Sequence, residues 1–129
     1  MKKEMNPAAE YTKAQAVTLS GEQAFEELYA RLARWTREAA ESSNSGDFGK
    51  FDQLVDKCLS LIGYMDQCVD LSANYDVASR ILSLHRFAIG ALVKAKAERT
   101  ASALSGLPEV FVSLAEIFAA IRTTQTRAA

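Results

Sequence analysis

The 129-residue sequence holds one histidine, two cysteines, two prolines and one tryptophan. Each scarcity excludes something. Carboxylate-bridged di-iron bundles need Glu-x-x-His pairs on facing helices, and here His85 stands alone with no glutamate three residues before it. Hydrolase triads and cysteine–histidine pairs would all have to use that one ring, and no nucleophile is placed beside it. Cys58 and Cys68 fall on one expected helix, where a rise of about 1.5 Å per residue sets them about 15 Å apart, too far for a disulfide. They read as small apolar residues. Pro7 and Pro108 avoid the middles of the periodic segments, which leaves long helices free to form and argues against a sheet. Gly46-Asp47-Phe48-Gly49 is no phosphate cradle, because no glycine-rich run ends in Gly-Lys-Ser/Thr. A net charge of -1 gives no basic footprint for nucleic acid or an anionic membrane. No unbroken apolar run approaches the roughly 20 residues that cross a bilayer, so no membrane insertion is expected. The polar start Met1-Lys2-Lys3-Glu4 lacks a signal peptide's apolar region, which predicts a cytoplasmic location. Catalytic, cofactor and metal sites are all read as none, and the protein as no enzyme.

What is present is helical periodicity. Hydrophobic residues at 49% and charged residues at 24% suit one soluble domain with a single modest core. Residues 1–19 show no clean period and read as an N-terminal arm. Ser20 with Gln23 forms a capping box, after which Phe25, Leu28, Leu32, Trp35 and Ala39 make a narrow seam. The turn-forming run Ser42-Ser43-Asn44-Ser45-Gly46 ends that helix. Asp47 caps a second, whose seam is Phe51, Leu54, Val55, Cys58, Leu61, Ile62, Met65 and Val69. Asp52 with Asp56, and Asp66 with Asp70, lie beside or beyond this seam and read as a solvated face. Ser72-Ala73-Asn74 is a short break, so the next helix is an antiparallel neighbour. A fourth helix starts at Gly106-Leu107-Pro108, with Leu107, Val110, Phe111, Leu114, Ile117, Phe118 and Ile121 as its seam, and the end from Thr123 reads as frayed. The prediction is an all-α fold, an antiparallel four-helix bundle over 20–124 with a mobile N-terminal arm and a short frayed tail at 125–129.

The third helix, within Ala73–Arg99, organises the functional reading. Ala78, Ile81, Leu82, His85, Ala88, Ile89 and Leu92 form one stripe at three- and four-residue steps, with His85 as a core histidine holding one hydrogen-bond partner. Leu84, Phe87 and Ala91 repeat at the same steps but turn away from that stripe. Such a second apolar face suits an amphipathic helix or an ordering segment from a partner. It also suits a homodimer, the alternative in which the protein is a non-enzymatic helical adaptor or regulator.

Several stretches resemble the flagellin export chaperones, the FliS family. Asn6-Pro7 and Tyr11 are similar to the family's N-terminal Asn-Pro and tyrosine, and Val17-Thr18-Leu19-Ser20 to its approach to the first helix. Leu28-Tyr29, then Gly46-Asp47 with Leu54 and Lys57, resemble its first and second helices, and Leu92-Val93-Lys94-Ala95 the close of its third. His85 and Phe87 stand where the family tends to carry tyrosines. The fourth helix lacks the usual tryptophan after Ala119-Ala120-Ile121, and Lys96 replaces an expected asparagine. The resemblance implies a cytoplasmic four-helix chaperone that binds the disordered C-terminal segment of flagellin, blocks its premature polymerisation and aids its secretion, with no ATP, metal or catalytic group. It implies that the arm lies on the bundle and moves when cargo arrives, so Tyr11, Val17 and Leu19 join Leu84, Phe87 and Ala91 as partner-binding residues. Flagellar regulators are further candidate partners.

Overall fold

The computed structural model describes residues 21–70 and 75–128. Among these residues there are four α-helices, α1 (Gly21–Asn44), α2 (Phe48–Cys68), α3 (Tyr75–Glu98) and α4 (Leu107–Ala128), with a 3-10 turn at Ala101–Leu104 between the last two. The expected all-α four-helix bundle is the observed one. Ser20, Ser72-Ala73-Asn74, and the arm residues Tyr11, Val17 and Leu19 lie outside the described residues.

Local chemistry sets the helix ends. At the end of α1, Gly46 takes a φ of +83°, and the Gly46 and Asp47 amides donate to the Ser43 and Ser42 carbonyls at 3.1 and 2.8 Å. This left-handed closure satisfies carbonyls the helix would leave open, and glycine enters it without a Cβ penalty. Asp47 then caps α2, accepting from the Lys50 amide at 3.1 Å as its position predicts. At the end of α3 the same turn falls on Arg99, at φ +52°, where a side chain is strained. Its guanidinium reaches Asp52 at 3.0 Å and lies over the Phe48 ring. α4 runs on to Ala128, past the frayed end expected from Thr123.

α1 is the central element. It packs along α4 and α2 and also meets the 3-10 turn, while α3 packs on α2 and on that turn. The ring contacts Phe25–Phe118 and Tyr29–Phe111 run in opposite senses along α1 and α4, which makes the pair antiparallel, and Arg122–Glu26 at 3.0 Å joins the same two helices. Asp52–Arg99, Asp56–Lys96 and Asp66–His85 run in opposite senses along α2 and α3, which makes that pair antiparallel too. Among the described residues α3 and α4 scarcely touch. Leu104 of the 3-10 turn is buried, so the crossover itself fills space in the core.

The core corrects several seam assignments. Phe25 and Trp35 are half-buried, whereas Tyr29, Ala33 and Thr36 are fully or almost fully enclosed. Trp35 lies near the Arg31 and Lys57 cations, 5.8 and 5.6 Å from its centroid, at the bundle's edge. In α4 only Leu107, Phe111 and Leu114 of the expected seam are buried, and Ile117 is 49% exposed. The reason is tertiary: a seam is covered only where a neighbouring helix closes on it, and α3 stands off from α4.

Candidate functional site: a trough between α3 and α4

That stand-off leaves apolar surface along two helices. One hollow of about 280 Å³ lies where α1 begins and α4 ends, lined by Phe25, Val77, Ala78, Ile81, Phe118 and Ile121 among others. A second, of about 290 Å³, is lined by Leu84 of α3 and by Val110, Leu114 and Ile117 of α4. Val77, Ile81 and Leu84 step by four and three along α3, and Val110, Leu114, Ile117 and Ile121 do so along α4. The two hollows therefore follow one line between antiparallel helices. From Val77 to Leu84 the line covers about 10 Å at the helical rise, long enough for two turns of a partner helix.

The sequence-predicted residues are divided by this geometry. Leu84, 38% exposed, lines the trough. Phe87 is 60% exposed but stands on the outer surface, since three residues from Leu84 is 60° around the helix. Ala91 is half-buried and packs against the core. Val77 and Ile117 belong to the trough and were not singled out. The signal for Val77 was its place seven residues before Leu84. Ile117 carried none, because its spacing matches the buried part of its own helix.

The carboxylates of α2 are not simply solvated. Asp56 accepts from Lys96 at 2.6 Å and Asp52 from Arg99 at 3.0 Å, both across to α3. The Asp56 carboxylate raises the Lys96 pKa. Asp66, 29% exposed, accepts from the His85 ring. His85 is wholly buried, as expected, but with two partners rather than one: its Nε2 lies 2.6 Å from the Tyr29 hydroxyl. Burial lowers its pKa, against the opposing hydrogen bond and charge of Asp66. Cys58 is buried and its thiol is pushed up to about 12, whereas Cys68 is exposed. Among the described residues no group of three or more histidine, cysteine or carboxylate side chains is placed to hold a metal.

One further feature marks α4. Although no unbroken apolar run is long, Ala101–Thr123 has a mean hydropathy of 1.6 over a length able to cross a membrane. Only 28% of that window is buried in the bundle. Leu104, Leu107, Phe111 and Leu114 form its inner face, Val110, Val112 and Phe118 are half-buried against the core, and Ile117 is left 49% exposed.

The sequence model of the family described as flagellar protein FliS matches residues 4–125. The chain belongs to the FliS family. Membership implies a flagellar export chaperone, and FliS is a chaperone family not known for enzymes. No curated protein and no solved structure matches the chain. In this FliS protein His85 is bonded to both Tyr29 and Asp66.

Proposed function

We propose that the protein is a cytoplasmic export chaperone that holds the disordered C-terminal segment of flagellin, preventing premature polymerisation and keeping the segment ready for secretion. The observation that carries this reading is the open apolar trough between α3 and α4 in a bundle of the FliS family. A segment that polymerises through amphipathic helices presents the apolar stripe such a trough accepts, and covering it removes the contact that drives assembly. The segment orders as it binds, so part of the interaction energy is spent on ordering and release stays feasible.

Leu84 sits within the contact, with Val77 and Ile117 beside it, and Phe87 and Ala91 extend it over the outer face of α3. Tyr11, Val17 and Leu19 serve as the placeholder that cargo displaces. Support for their role comes from Gly21, which borders the first hollow and stands two residues beyond the arm. Binding needs no cofactor and no catalysis.

Calorimetry with the isolated C-terminal segment of flagellin tests this. Leu84→Glu and Ile117→Glu should each weaken binding by about tenfold or more, roughly 1.4 kcal/mol, with helical content unchanged. Undiminished binding by both variants, or no binding by the unaltered protein, removes the proposal.

A further inference from the structure

Tyr29, His85 and Asp66 come from α1, α3 and α2 and stand in file from the core to the surface. Tyr29 and His85 are wholly buried, while Asp66 reaches water. An ionised carboxylate can only accept, so His85 Nδ1 carries the ring proton and donates to Asp66. Nε2 is then bare and accepts from the Tyr29 hydroxyl at 2.6 Å. With the ring neutral, every donor in the file has an acceptor. Burial first, and the Asp66 charge second, raise the Tyr29 pKa, so the phenol keeps its proton.

We infer that this file is a proton-operated latch on α3: a proton from water added to His85 Nε2 reverses the Tyr29 bond and strands the phenol hydrogen, which loosens α3 and widens the trough beside α4. The new N–H points at the phenol oxygen, whose own hydrogen has no other acceptor among the described residues. A buried hydroxyl donor is thereby orphaned, which costs the full desolvation of that group. The groups facing the ring offer no substitute. α1 presents Tyr29 and α2 presents Asp66, the one charge among the described residues that acts on His85. α4 presents to Tyr29 the rings of Phe111 and Phe118.

α3 is the helix placed to respond. It rests on α2 and the 3-10 turn and scarcely touches α4, so the Tyr29–His85 bond ties it across the bundle to α1. The direction follows from burial. An unfolded histidine takes its proton near pH 6.5, and burial sets the folded value lower. Between the two the unfolded chain binds more protons, so the latch contributes fully above about pH 6.5 and its contribution falls as the pH drops below that. The inference concerns the bundle alone and holds whatever the trough carries.

Amide hydrogen exchange on the full chain at pH 7.0 and 5.5, corrected for intrinsic rates, tests it together with a ring-nitrogen NMR titration of His85. The expected result is an Nδ1–H tautomer at pH 7.0, a titration point below 6.5, and protection of α3 falling several-fold more than that of α1. His85→Gln, which holds no charge at pH 5.5, should lose the excess acid response of α3. The latch is overturned if the variant keeps that response, if His85 titrates above 6.5, or if α3 is no more acid-sensitive than α1. The last two are read on the unaltered protein, so they decide the matter even if His85→Gln fails to fold.

Discussion

Leu84 of α3 and Ile117 of α4 line one hollow, and 38% and 49% of their surfaces stay exposed. Leu114 lines that hollow too, yet is 2% exposed, because its inward side joins the core. The floor of the trough therefore belongs to the fold, and its rim is spare. Apolar rims on a protein of this size mark binding surface when they are contiguous.

Stability should follow that division. Leu114→Ala removes enclosed methyl groups and leaves a cavity, at a cost of about 2–5 kcal/mol in urea unfolding. Phe87→Glu, on the outer face, should change stability by no more than about 0.5 kcal/mol, and Leu84→Ala by about 1 kcal/mol or less. A large loss from Phe87→Glu in the same measurement would mean that the outer stripe of α3 is core.

Two glycines should respond in opposite directions. Gly63 lies inside α2, and a Cβ built there meets nothing within 4 Å. Gly63→Ala should therefore stabilise the protein by about 0.5–1 kcal/mol, through helix propensity and a less flexible unfolded chain. Gly46 also has open space, but its φ of +83° belongs to the left-handed closure of α1. Gly46→Ala should destabilise by about 1–2 kcal/mol. Thermal melts of the pair separate the two effects.

The cysteines should differ in reactivity. With Cys58 enclosed and its thiol pushed up to about 12, almost no thiolate exists at pH 8, whereas Cys68 is open to reagent. Mass spectrometry after brief alkylation should find one label on the native chain, at Cys68, and two in denaturant. Equal labelling of both in the native state would place Cys58 outside the core.

The sequence by itself determined the four helices and the antiparallel bundle. These depend on short-range physics: a three- and four-residue apolar spacing, the Asp47 carboxylate beside the Lys50 amide, and a glycine able to close α1. It also placed His85 in the core and left Leu84 and Phe87 over. The tertiary structure decided what depends on the distance between helices. Ile117 and Leu114 share one seam in the sequence, and only the gap between α3 and α4 separates the exposed one from the enclosed one. Asp66 and Asp56 look alike on the exposed side of α2, yet one meets a buried imidazole and the other a surface lysine. A side chain's periodicity fixes the direction in which it points, and what it meets there is set by how closely the next helix packs.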